Sequence, residues 1–168
     1  MKKQDFLHAL YPGSFDPITC GHIDIVERFS HIFKKVTLLV ASSIHKKYWF
    51  SLKEREEMAK ATLKHLSNVR VDKYEGLTTS YLKKNNISVV LRGIRSVTDF
   101  PYERDLAINN KKIFPEMETL FLFSGMEKEM VSSKWIKEIA FHKGSLEGLV
   151  PDYVANKINK QIKEGVKS

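Results

Sequence analysis

The sequence predicts an α/β fold of the Rossmann-like, doubly wound kind: a five-stranded parallel sheet with helices on both faces. Three observations carry that expectation. Short apolar runs alternate with helical patterns along the whole chain, the connections between them are brief, and Val36-Thr-Leu-Leu-Val-Ala41 is almost uninterruptedly apolar, as a strand covered on both sides must be. Parallel neighbours need a crossover, normally a helix in the right-handed sense, to bring the chain back to the same edge. The 168 residues suit one domain over residues 1–168, and 42% apolar with 29% charged residues is ordinary for a chain with a packed core.

The elements follow in order. Phe6 to Leu10 reads as the first strand, and the Pro- and Gly-bearing stretch after it leads into a helix over Ile23 to Phe33. Val36 to Ala41 is the second strand. Ser51 with Glu54 three residues on forms a capping box, and Leu52, Ala59, Leu63 and Leu66 supply an inward stripe before Asn68 closes that helix. Val69 to Tyr74 is a third strand, Thr78 to Lys84 a short helix and Ser88 to Arg92 a fourth strand. Asp99 opens a helix that tolerates Pro101 in its first turn, sets Tyr102, Leu106 and Ile113 on one face and ends at Phe114-Pro115. Thr119 to Phe123 is the fifth strand. Ser132 or Ser133 caps a helix carrying Trp135, Ile136, Ile139 and Ala140, and a last helix follows Pro151.

Composition narrows the function classes. No stretch approaches the roughly twenty apolar residues of a membrane span, and the start of the chain has no cleavable signal pattern, so a cytoplasmic protein with no membrane partner is expected. The single cysteine, Cys20, allows neither an intrachain disulfide nor a cysteine-rich metal site. The net charge is +8, concentrated between Lys34 and Lys73, where ten Lys or Arg face four Asp or Glu. A basic surface suits polyphosphates as well as nucleic acid. Zinc-finger spacing, an RNP-type aromatic motif and basic runs interleaved with aromatics are all missing, so nucleic acid is not the expected partner.

The chemistry-bearing residues fall where strands end. Tyr11-Pro-Gly-Ser-Phe-Asp-Pro-Ile-Thr-Cys-Gly-His22 brings Gly13 and Ser14 to a strand terminus and His22 to the first turn of a helix, where the macrodipole and unpaired N–H groups favour an anion. In doubly wound sheets ligands bind beyond the carboxyl ends of the strands, where strand order reverses. That rule gathers Ser14, Lys46, Thr78 and Ser132, which follow the first, second, third and fifth strands, and Arg92, which ends the fourth. Arg92-Gly93-Ile94-Arg95 sets two guanidinium groups about a glycine at that edge, suited to paired hydrogen bonds with phosphate oxygens. Lys46 and Lys47 follow a strand in the same way, and Ser132-Ser133-Lys134 offers hydroxyls and a cation at a second helix start. Walker-type lysine loops and the Gly-x-Gly-x-x-Gly fingerprint are missing, which argues against a P-loop kinase and a dehydrogenase.

The segment from Tyr11 to His22 resembles the first motif of the nucleotidyltransferase superfamily. With Phe50-Ser51-Leu52-x-x-Arg55, Leu91-Arg-Gly-Ile-Arg95 through Asp99 to Glu103, and Ser132-Ser133 with Ile136-Lys137-Glu138, nearly the whole chain is similar to the bacterial phosphopantetheine adenylyltransferase family. That resemblance implies transfer of the adenylyl group of ATP to 4′-phosphopantetheine, giving dephospho-coenzyme A and pyrophosphate. It implies ATP contacts from Ser14, Phe15, His22, Gly93, Ile94, Arg95, Glu103 and the stretch Lys128, Glu129, Met130, Val131, Ser132, Ser133 and Lys134. Ser14, Lys46, Thr78 and Arg92 would hold phosphopantetheine, with His22 and Lys46 as the catalytic pair. Magnesium arriving with ATP and no dedicated metal site, a homohexamer, and coenzyme A as feedback inhibitor are implied likewise. Ser14 stands where threonine is frequent, Cys20 where a polar residue is common and Lys134 where a third serine is usual. Two alternatives remain at this stage: a related adenylyl- or cytidylyltransferase with another phosphate acceptor, and a non-enzymatic nucleotide- or RNA-binding module.

Overall fold

The computed structural model describes residues 7–123 and 132–165 of the chain. Five strands form one parallel sheet in the order β3-β2-β1-β4-β5, so strand order reverses between β1 and β4. The strands are β1 (His8–Gly13), β2 (Lys35–Ala41), β3 (Val69–Tyr74), β4 (Val89–Ile94) and β5 (Glu118–Phe123). Among the described residues six helices alternate with and follow them: α1 (Cys20–Ser30), α2 (Leu52–Leu63), α3 (Thr78–Lys84), α4 (Asp99–Ile113), α5 (Ser133–Phe141) and α6 (Asp152–Lys163).

Side-chain alternation along the strands divides the core in two. Ala9, Tyr11, Val36, Leu38, Val40, Val89 and Leu91 face a large cluster with Ile25, Val26 and Phe29 of α1, Met58 and Ala59 of α2, Ile136 of α5 and Val154 and Ile158 of α6. Leu10, Leu39 and Val90 face the other way, onto Tyr81 and Leu82 of α3, with Ile87 and Met117. Phe100 of α4 meets Phe121 of β5 edge to face on that thinner side, 5.9 Å between centroids.

Four expectations are corrected. The first strand runs His8–Gly13 rather than Phe6 to Leu10. Pro12 lacks an N–H for the ladder, yet it sits one residue from the strand's end and its carbonyl accepts from Arg92 Nη1 at 2.8 Å. Helix α1 begins at Cys20, not Ile23, because Thr19 and His22 form a capping box in which an imidazole takes the place of the usual carboxylate or amide. Helix α4 buries none of its residues fully, and Tyr102 and Ile113 are exposed, so these two do not belong to an inward stripe with Leu106. The Ser51–Glu54 capping box forms as expected, but α2 ends at Leu63, before Leu66 and Asn68, and Asn68 instead donates to the Ser30 and Phe33 carbonyls, at and just beyond the end of α1, at 2.8 and 3.0 Å.

Candidate active site

Where β1 and β4 diverge, a cavity of about 510 Å³ opens at the carboxyl ends of the strands, bounded by the β1–α1 turn, the segment after β2, the end of β4 and the start of α5. After Gly13 the chain turns through Phe15, which has φ 46°, then through a cis Asp16–Pro17 bond to the cap residue Thr19. The Phe15 ring folds back over Gly13 so closely that a β-carbon there would come within 2.7 Å of it. Phe15 is 2% exposed and its ring stacks edge-on against Tyr11 and His22, at 5.5 and 5.1 Å between centroids. It therefore buttresses the histidine from beneath.

The state of His22 follows from its cap. The Thr19 backbone N–H donates to Nδ1 at 3.1 Å, so Nδ1 holds a lone pair and the proton resides on Nε2, the edge left to face the cavity. Burial, reinforced by the nearby Arg95 and Arg92, pushes the imidazole pKa down to about 4. At neutral pH His22 is an uncharged donor with a fixed tautomer. Of the first-turn donors, the N–H groups of Thr19, Cys20 and His22 are engaged by His22 Nδ1, the Leu149 carbonyl and Thr19 Oγ1, leaving Gly21, which lines the cavity, for a ligand.

The remaining walls differ in how their cations are paired. Lys46 and Lys47 line the cavity from the segment after β2, and neither has an ion pair among the described residues. Across the cavity Arg92 makes a bidentate pair with Glu103 of α4, Nε and Nη2 donating at 2.5 and 2.6 Å, and Arg95 pairs with Asp99 at 3.1 Å. At the start of α5, Ser132 Oγ accepts from the Trp135 N–H at 3.2 Å as the helix cap, and Ser133 Oγ donates to the Pro17 carbonyl at 2.8 Å. Ser132, Ser133 and Lys134 all line the cavity, so the capped start of α5 opens onto it.

The cytidylyltransferase-like family matches residues 10–139. A phosphopantetheine adenylyltransferase of Dictyoglomus thermophilum is 48% identical over 161 residues, covering 96% of this chain and 97% of its own length. The same enzyme of Thermotoga neapolitana is 43% identical, covering 94% of this chain and 98% of its own length. This chain belongs to the phosphopantetheine adenylyltransferase family. A crystal structure described as a nicotinate-nucleotide adenylyltransferase from Vibrio parahaemolyticus superposes with a TM-score of 0.67 at 18% identity, covering 94% of this chain and 91% of that one, and supports the fold.

Of the residues that likeness to the adenylyltransferase family singles out, the structure brings Ser14, Phe15, His22, Lys46, Arg92, Gly93, Arg95, Glu103, Ser132, Ser133 and Lys134 to one cavity. It does not bring Thr78, which opens α3 beside the edge strand β3, nor Ile94, a core side chain 1% exposed. Lys128, Glu129, Met130 and Val131 lie outside the described residues. Sequence reasoning missed Asp16, Tyr48 and Lys137, which also line the cavity. Lys137 follows Ser133 by four residues and so shares its helix face, a spacing that could have pointed to it; Lys137 pairs with Asp16.

Proposed function

We propose that this chain transfers the adenylyl group of ATP to 4′-phosphopantetheine, releasing pyrophosphate and forming dephospho-coenzyme A. The observation that carries the reading is His22, neutral at pH 7 and held through Nδ1, lining the same cavity as Lys46 and Arg92. The acceptor's phosphate monoester, with a second pKa near 6, is largely a dianion at neutral pH and needs no general base. One of its oxygens forms a bond to the α-phosphorus of ATP as the bond from that phosphorus to the β-phosphate oxygen breaks. The residues' task is to hold two anions together and to meet charge moving toward pyrophosphate.

In this reading His22 Nε2–H donates to the α-phosphate as charge builds there, and Lys46 neutralises the same centre. Ser14, Gly93, Arg95, Ser132, Ser133 and Lys134 hold ATP, and Arg92 receives the acceptor phosphate beside Glu103. ATP enters as its magnesium complex, in the cytoplasm where that complex is abundant. The homohexamer rests on the family likeness, and the exposed apolar side chains Phe100, Tyr102, Ile108, Ile113, Leu120 and Phe123 on α4 and β5 are what such an assembly would cover. Coenzyme A, which contains both product halves, is expected to compete with phosphopantetheine.

The test is to supply magnesium-ATP with 4′-phosphopantetheine, nicotinamide mononucleotide or glycerol phosphate in turn and to measure pyrophosphate. Release with phosphopantetheine alone supports the reading. Release only with another acceptor replaces it by a sister activity.

A further inference from the structure

Arg55 lies on the first turn of α2, is 1% exposed and does not line the cavity, yet its guanidinium is bonded to the segments that follow both β1 and β2. Nη1 donates to the Ser14 carbonyl at 2.7 Å and to the Ala41 carbonyl, the end of β2, at 2.9 Å. Nη2 donates to Ser42 Oγ at 2.8 Å and Nε to the Phe50 carbonyl at 3.2 Å. The Tyr48 ring lies 4.1 Å from the guanidinium carbon. Lys46 and Lys47 sit between Ser42 and Tyr48, so the lysine segment is held at both ends by the cation that also holds the Ser14 turn. Two residues beyond Ser14, the buried Asp16 carboxylate accepts the Trp49 and Phe50 N–H groups at 3.1 and 3.0 Å and ties the same turn to the same segment.

We infer that Arg55 is a positioning residue for the transfer: it fixes the Ser14–His22 turn and the Lys46 segment at one separation, and thereby sets where the two substrates' phosphates meet. The inference rests on the adenylyl-transfer reading above. A buried cation is a costly way to fill space, since an apolar side chain of similar size avoids its desolvation. What only arginine supplies is a planar fork with five donors in fixed directions, able to engage four acceptors on three segments at once. Lysine keeps the charge and loses the fork.

Arg55→Lys separates placement from folding and from binding. The expected result is a folded protein whose affinities for ATP and for phosphopantetheine, each measured alone by calorimetry, stay within about threefold of the parent. Its kcat per folded molecule falls by about 10- to 100-fold, the scale of a displacement near 1 Å between reacting groups. An undiminished kcat, or a loss matched by the unfolded fraction, overturns the assignment; so does weakened binding of one substrate at full kcat. Where Arg55→Lys does not fold, Ser42→Ala removes the hydroxyl that accepts from Nη2, at a residue that does not line the cavity, and is read by the same split, with a smaller fall in kcat expected and an unchanged kcat counting against the inference. Parent protein that releases no pyrophosphate from ATP and phosphopantetheine overturns the functional reading instead, which keeps the two failures apart.

Discussion

The two walls of the cavity are built on opposite principles. On the β1–β2 side, backbone carbonyls, caps and buried charges fix the shape, while the groups that face the cavity, His22, Lys46 and Lys47, have no carboxylate partner among the described residues. On the β4–α4 side the cavity-facing guanidiniums are already occupied, Arg92 by Glu103 and Arg95 by Asp99. A fixed, unoccupied donor stabilises charge that appears only during reaction, because nothing must reorganise when it arrives. A paired arginine is suited to an anion already charged on arrival, because its carboxylate tempers the site until a better-placed dianion joins it. The first wall should therefore govern turnover and the second affinity.

The largest effect should come from the first wall. His22→Ala removes the fixed Nε2–H donor and is expected to lower kcat by two to three decades, about 3 kcal/mol of transition-state stabilisation, with ATP binding little changed and thermal stability lowered modestly through the lost half of the capping box. Steady-state kinetics beside a nucleotide titration checks it, and near-normal turnover would remove His22 from the mechanism. Next in size, Arg92→Ala should raise the KM for phosphopantetheine about 10- to 100-fold, the value of a charge-assisted pair, while kcat at saturation moves less. Should kcat carry the loss while KM holds, the second wall governs turnover as well and the division between the walls fails.

The sequence makes the scaffold readable and the couplings far less so. β3 and α3 are legible to the residue, and α2 announces itself through Ser51 and Glu54, because alternation, periodicity and capping are local signals. β1 and the start of α1 are obscured by their own residues: Tyr-Pro-Gly reads as a turn, and a capping box closed by histidine does not match the usual carboxylate pattern. Tyr102 and Ile113 read as core because an apolar side chain on a helix gives no sign of facing outward. The assembly of Ser14, Lys46, Arg92 and Ser132 at one edge follows from topology alone, since every loop at the carboxyl end of a parallel strand leads there. Which of them are already paired does not. Nothing local ties Asp16 to Lys137, or Arg55 to Ser14, across 121 and 41 positions.

The smallest expected effect asks whether the low pKa of His22 belongs to the cavity or to burial in general. His8 stands at the other end of the same strand, away from the site, with Nε2 2.8 Å from Thr37 Oγ1. Burial, with help from Lys35 and Arg70, pushes it down to about 4 as well. In both cases the folded value lies below the ordinary 6.5, so the unfolded chain binds more protons through the window from about 6.5 to about 4. Stability from these two groups is complete above that window and declines as pH falls through it. Thermal or denaturant unfolding followed from pH 7 to 4.5 should show the decline, and His8→Gln should flatten it by up to one proton per molecule while leaving kcat untouched. With magnesium-ATP bound, the phosphates should lift the His22 value and remove its share, so that His8→Gln then abolishes most of the histidine contribution to the slope. A slope that His8→Gln leaves unaltered would place the linkage elsewhere and free the cavity histidine from comparison with its counterpart at the strand's far end.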